Sequence, residues 1–421
     1  MAQALQPVRG THDLLPEDFA AHQQVALTAQ AIAARYGYQR IDTPIFEFSE
    51  VFHRAVGETS DIVSKETYTF EDRGKESITL RPEFTAAIVR AYISNGLQQF
   101  SPYKCFYHGP AFRYERPQKG RLRQFHQIGA ELLGAAEPMA DAEMIALAMH
   151  ILEQLGLSQV VTLELNSLGD AESRSNYRNA LVQYLAGYKN DLSEDSQKRL
   201  EKNPLRILDS KDARDREILE GAPTLHAYFN DASRQHFEAV TKGLDALELK
   251  YTVSEKLVRG LDYYSHTVFE ITTDRLGAQG TVLAGGRYDS LVELMGGQPT
   301  PGIGFAAGVE RLVDLMGEVG SLQKLAAVAD VAVVPMQESA ETAAFGIAQS
   351  LRHAGFKTEI AYKGKGGKRL QRADKLGARF AVVLGDDEIA NHSATIKNLK
   401  DGAQQTVPQH EIISTLARLS K

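Results

Sequence analysis

The stretch Cys105 to Gly134, CFYHGPAFRYERPQKGRLRQFHQIGAELLG, constrains this chain more than any other. It reads as two antiparallel strands, about Cys105 to Arg116 and Leu122 to Leu133. A basic loop joins them, with turn signals at Pro117, Gln118, Lys119 and Gly120. Side chains alternate faces along a strand. One face of the second strand therefore carries Arg123, Phe125, Gln127, Gly129 and Glu131, and one face of the first carries Arg113 and Glu115. A half-buried sheet normally hides an apolar face and wets the other. A solvated face with cross-strand ion pairs accounts for the charges but not for Gly129 in mid-strand, where a missing side chain often marks the approach of a ligand. The pattern favours a wall that grips something polar.

With 421 residues the chain is expected to form two or three domains. An apolar fraction of 43% and a charged fraction of 24% fit a soluble globular protein. The lone Cys105 excludes a disulfide framework and any multi-cysteine zinc site, and suits a reducing cytosol. No signal peptide or membrane span is legible, so a cytoplasmic protein with no membrane partner is expected. The net charge of −7 gives no global affinity for nucleic acid. From Val328 onward, however, 13 Lys+Arg stand against 10 Asp+Glu, and a locally basic module can hold phosphates on an acidic protein.

Taken in order, Pro16 to about Tyr36 reads as a helix with Pro at its first position and Glu17 and Asp18 at its positive end. Tyr38 to Ile45 reads as a short strand, and Pro44 places it at an edge or an interface. In Leu80 to Ala86, an extended backbone would aim Arg81, Glu83 and Thr85 one way and Phe84 the other. A helix beginning at Thr85 is an equal and compatible reading. Helix is expected from Pro138 to Leu155, a strand from Thr162 to Asn166, and a charged helical insertion over about 170–250. Arg259, in an otherwise apolar strand, needs an anionic partner, either a structural carboxylate or a ligand. Tyr263 and Tyr264 suit a core by pattern alone. Ala284 to Asp289 reads as a glycine turn. Gly302 and Gly304 share a face of a strand that runs into a helix, either to receive a planar base under Arg311 or for close packing. From Asp330 strands and helices alternate, implying an α/β module with a parallel sheet and a basic run from Lys363 to Lys375.

The segments RGTHDLLP, LRPEFT, FRYERPQKGRLRQFHQIGAE, LVRGLDYY, AGGRYD and GIGFAAGVERL, in this order, closely resemble the histidyl-tRNA synthetases, a class II aminoacyl-tRNA synthetase family. The likeness spans nearly the whole chain. It implies an α+β fold: a catalytic domain over 1–327 on an antiparallel sheet, with the helical insertion, and an α/β anticodon-binding domain over 328–421. It further implies a homodimer through the region of Pro44, and ATP, Mg2+, L-histidine and tRNA(His) as the molecules handled. Arg113 and Arg259 match the cations at the α-phosphate. Glu115, Arg121, Phe125 and Arg311 match the rest of the ATP site. Glu83, Thr85 and Gln127 match the seat of the substrate amino group. Glu131 and Tyr264 match the imidazole partners, with Tyr288 and Tyr263 in the same pocket. Gln118 and Arg123 match the loop that meets the acceptor end of tRNA. No side chain is assigned to a metal. Phe84 stands where the family often has Gly, and strand parity points it away from the ligand face. The nearest different reading is the non-catalytic, synthetase-like regulatory subunit of ATP phosphoribosyltransferase, which usually lacks the C-terminal module. A plain RNA-binding protein is more distant.

Overall fold

The computed structural model describes residues 4–56, 65–118, 120–202, 204–210, 212–255, 257, 263–277, 280–324 and 327–420. The chain forms two compact units, Met1–Gln323 and Lys324–Lys421.

The first unit is built on an eight-stranded sheet. Its order is Gln39–Arg40, Tyr103–Phe112, Gln124–Leu133, Gly302–Gly308, Thr281–Arg287, Ser265–Thr272, Thr162–Ser167 and Thr252–Val253. The outermost pairing at each end is parallel and the rest are antiparallel. The strand Gln39–Arg40 lies at the edge; it is shorter than the expected Tyr38 to Ile45, and Pro44 lies beyond it. The helices Pro16–Arg35, Pro138–Gln154 and Val309–Val319 cover one face. There Ile128, Ala130, Leu132, Ile303 and Phe305 meet Val25, Ile145 and Leu312 in one apolar cluster. Period-two alternation then forces Gln127, Glu131, Gly302 and Gly304 onto the opposite face.

The central hairpin is shorter than its sequence pattern. Its strands end at Phe112 and resume at Gln124. The backbone N–H groups of Tyr114 and Arg123 donate instead to Glu66 and Gly10 carbonyls, which draws them out of the ladder. Ala284 to Asp289, expected as a turn, is strand as far as Arg287. Of the expected helical insertion, residues from Ala171 to Tyr228 gather a small core of their own around Tyr177, Leu181, Leu185 and Ile207. The last helix, Asp231–Ala246, instead sends Val240 and Leu244 into the main core.

A separate three-stranded antiparallel sheet sets Phe46–Phe48 and Tyr68–Glu71 on either side of Ser77–Leu80. Phe48, Ile78 and Phe70 stand directly opposite one another, and Phe46, Phe48 and Phe70 are each about half exposed.

In the second unit the sheet order is Thr358–Ile360, Val331–Pro335, Phe380–Leu384, Ser393–Asn398 and Gln404–Pro408. The first three are parallel, but the last two are antiparallel, so the sheet is mixed rather than parallel. Those two strands are mostly polar, and Ala394, Ile396 and Val407 are their buried residues. The turn between them is closed by Asn398 N–H to Ala403 O at 2.8 Å and Gly402 N–H to Asn398 O at 2.9 Å. Within the basic run, Arg369 is buried. It donates to Pro335 O and pairs with Glu341, so its role is structural.

Candidate active site

Against the face that the helices leave bare lies one cavity, lined by Glu83, Glu115, Glu131 and Glu310 and by three arginines. At one end Glu83 is 5% exposed and Glu131 1% exposed. At the other stand Arg113, Arg121 and Arg311.

Glu83 sits just before the helix Thr85–Ser94 and accepts from Thr85 N at 2.6 Å and Ala86 N at 3.0 Å. The helix-start reading of this stretch holds, and the extended one does not. The carboxylate satisfies N–H groups that the helix leaves open and still borders the cavity. Burial pushes its pKa up, against the pull of those N–H groups and of Arg113. Arg81 does not share its side. It donates to Thr43 O and Pro110 O and lies 3.9 Å over the Phe84 ring. Phe84 in turn stacks flat on Tyr107, with ring centroids 4.4 Å apart, and borders the cavity rather than pointing away from it. A loop backbone, not a strand, carries these residues, so strand parity does not apply to them.

Glu131 accepts from Thr85 Oγ1 at 2.8 Å, from Tyr288 Oη at 2.5 Å and from Tyr107 Oη at 3.3 Å. Tyr107 was not expected here. Its signal was its place directly opposite Gly129. A Cβ on Gly129 would lie 2.2 Å from Tyr107 Oη, so the glycine makes room for a ring of the protein and not for a ligand. Gly302 and Gly304 act alike. A Cβ on Gly302 would fall 2.3 Å from the Tyr288 ring, and one on Gly304 1.6 Å from Glu131 Oε2. They floor the carboxylate pocket rather than a base site. Tyr263 and Tyr264 line the same end, with ring centroids 4.7 Å apart. Gln127 is 8% exposed and lines the cavity, and its Oε1 has no hydrogen-bond donor among the described residues.

Burial raises the Glu131 pKa to about 8, more than the three hydroxyls can offset. Between the ordinary carboxylate value and about 8, the folded chain holds a proton that the unfolded chain has lost. Stability therefore falls as pH rises through that window. Glu131→Gln removes this dependence. The melting temperature of the variant minus that of the wild type is expected to increase from pH 5 to about pH 8 and then level off. A difference independent of pH would show that Glu131 titrates normally.

At the cationic end, Arg113 Nε donates to Pro82 O at 2.9 Å, and its guanidinium lies 5.2 Å over the Phe125 ring. Glu115 pairs with Arg121 at 3.2 Å. Arg311 donates to Gly120 O and Thr281 O, and burial followed by repulsion from Arg121 lowers its pKa. Cations held this close to one another favour a polyanion. Two expected residues stand apart from this cavity. Arg123 lies 4.0 Å over the Tyr114 ring, and Gln118 forms an isolated bridge with Arg121 at the hairpin tip. Arg259 lies outside the described residues.

A family profile described as "Histidyl-tRNA synthetase" matches residues 10–312, nearly all of the first unit. The chain belongs to the histidyl-tRNA synthetase family. A second profile, "Anticodon binding domain", matches residues 330–419. The chain is 52% identical over 415 residues to the histidine--tRNA ligase of Rhodospirillum rubrum, covering 99% of each. It is 54% identical to that of Gluconobacter oxydans, covering 99% of this chain and 98% of the relative. Among solved structures, apo S. aureus histidyl-tRNA synthetase matches with a TM-score of 0.84 at 36% identity, over 98% of this chain and 100% of that one. The family's fold is the α+β class II architecture with its own sheet in the C-terminal unit.

Proposed function

We propose that the protein is a histidine–tRNA ligase. It condenses L-histidine with ATP to histidyl-adenylate and pyrophosphate, then transfers the histidyl group to the 3'-terminal adenosine of tRNA(His). The observation that carries this reading is one cavity that holds both kinds of partner. The buried carboxyls of Glu83 and Glu131, with Thr85, Tyr264 and Tyr288, offer hydrogen-bond partners to a small polar substrate, and Arg113, Arg121 and Arg311 offer fixed positive charge to a polyphosphate. The agreement with full-length ligases supports it over the regulatory-subunit reading.

In this reading Glu83, Thr85 and Gln127 seat the substrate ammonium, and Glu131 with Tyr264 meets the ring nitrogens. Tyr288 and Tyr263 close that pocket. Arg113 and Arg259 hold the α-phosphate while the substrate carboxylate attacks it. The P–O bond to pyrophosphate breaks, and no proton need move. Positioning and fixed positive charge are what this step requires. Glu115, Arg121, Phe125 and Arg311 take the rest of ATP. Glu83, Glu115 and Glu131 already serve protein donors or cations. Magnesium therefore enters as MgATP, on the phosphates, rather than in a protein cage. Arg123 and Gln118, outside the cavity, are free to meet the acceptor end of tRNA. A pocket that hydrogen-bonds an imidazole rejects analogues lacking it by about 10⁴-fold or more, so no editing domain is needed.

The half-exposed Phe46, Phe48 and Phe70 support a homodimer through the three-stranded sheet, since a contiguous apolar face of this kind is uncommon on a monomer. The exposed Lys363, Lys365, Lys368, Arg372 and Lys375 support anticodon contact by the second unit. No helix among the described residues is long and apolar enough to cross a membrane, and we place the enzyme in the cytoplasm. The test is exchange of labelled pyrophosphate into ATP across all twenty amino acids. Exchange with histidine alone is expected. Absence of exchange with every amino acid would favour the regulatory-subunit reading.

A further inference from the structure

At the rim of the cavity, whose lining includes Glu310, three elements bring together His22 of the helix Pro16–Arg35, His126 of the strand Gln124–Leu133, and Glu310 of the helix Val309–Val319. One ring nitrogen from each histidine and one carboxylate oxygen all lie within 4.8 Å of one another. We propose that this cluster is a binding site for a divalent transition metal of the zinc class, separate from the magnesium that accompanies ATP.

Four observations carry the proposal. First, His22 is 7% exposed, yet its Nδ1 has no hydrogen-bond partner among the described residues. A buried polar atom without a partner costs about 1–3 kcal/mol, and a ligand removes that cost. Second, Glu310 holds both the backbone N–H and the Nδ1 of His126, each at 2.9 Å, which fixes the ring and the carboxylate as adjacent donors. A tetrahedron with metal bonds of about 2.0–2.2 Å has edges of about 3.3–3.6 Å, so uptake widens the His126–Glu310 spacing by roughly half an ångström and draws His22 in by up to about 1.5 Å. Third, His108 stacks on His126 with centroids 6.2 Å apart, and its buried Nε2 has no partner among the described residues. Fourth, the donor set mixes ring nitrogens with a carboxylate oxygen. Two or three imidazoles with one carboxylate suit zinc, and not magnesium, which selects oxygen.

The charged and titratable groups around His22 are Glu310, His126, Asp18 and His12. Those around His108 are His126, Arg40, His22 and Asp42. The position gives the metal a mechanical meaning. His126 lies between Phe125 and Gln127, and Glu310 directly precedes Arg311, so the ion would tie together two of the elements that line the cavity.

The test uses the untagged full-length chain, stripped by chelator, and titrates it with ZnCl2 by calorimetry and with CoCl2 by visible absorption at pH 7.5. One equivalent per chain and the strong visible bands of tetrahedral cobalt are expected. His22→Gln and His126→Gln should each weaken Zn2+ binding about tenfold or more. His22→Cys, which restores a ligand, should retain binding and shows that the loss is not one of folding. Zinc should raise the melting temperature of the wild type and of H22C but not of H22Q. Absence of stoichiometric binding to the wild type overturns the proposal, as does binding that H22Q and H126Q leave unchanged.

Discussion

Arg113→Gln is expected to lower histidine-dependent ATP–pyrophosphate exchange by about 10²–10³-fold, the usual cost of removing one fixed donor from a developing anion. The guanidinium is held by Pro82 O and lies over Phe125, so it meets the α-phosphate without first being ordered. Arg113→Lys should rescue little, because an ammonium cannot keep the tether to Pro82 and also present a planar fork. The side chain is only partly buried and belongs to no apolar cluster, so the melting temperature should move by no more than a few degrees. Exchange within about threefold of wild type in Arg113→Gln would remove Arg113 from the phosphate site.

Gly304→Ala is expected to be the most damaging small substitution at the histidine end. The added methyl would sit 1.6 Å from Glu131 Oε2 and 2.6 Å from Ala130 O. The carboxylate can swing aside, but the carbonyl belongs to a paired strand and cannot. Displacing a positioning group by about 1 Å costs on the order of 10²-fold, and kcat/KM for histidine should fall by that much. Overpacking should cost about 1–3 kcal/mol of stability. ATP affinity, measured by calorimetry without histidine, should stay within about threefold, because the cationic end is untouched. An equal loss at both ends would mean that the variant deforms the sheet as a whole.

Much of this architecture was legible because period-two alternation is strict. The odd residues of Gln124–Leu133 had to share a face, and Phe125, Gln127 and Glu131 do line one cavity. Parity failed where the backbone is not a strand. Arg81 and Phe84 stack together because a loop joins them, and Arg123 leaves the wall because Gly10 takes its N–H. Gly129 was misread for a different reason. A bare position in a strand signals close approach, but the sequence does not say whether a ligand or a neighbouring tyrosine approaches. The two polar strands of the second unit were missed because their alternation rests on few apolar residues, Ala394, Ile396 and Val407 among them. His22, His108 and His126 are far apart in sequence and carry no ligand spacing, so only the fold could assemble them.

The rings that rest on bare glycines set a limit on redesign. Where Tyr107, Tyr264 and Tyr288 cross the sheet, the backbone beneath is already stripped to hydrogen at Gly129, Gly286 and Gly302. No further space can be carved from the floor. An engineer wishing to admit a bulkier histidine analogue must trim an aromatic from the ceiling, and in doing so takes away a hydroxyl or the support of one.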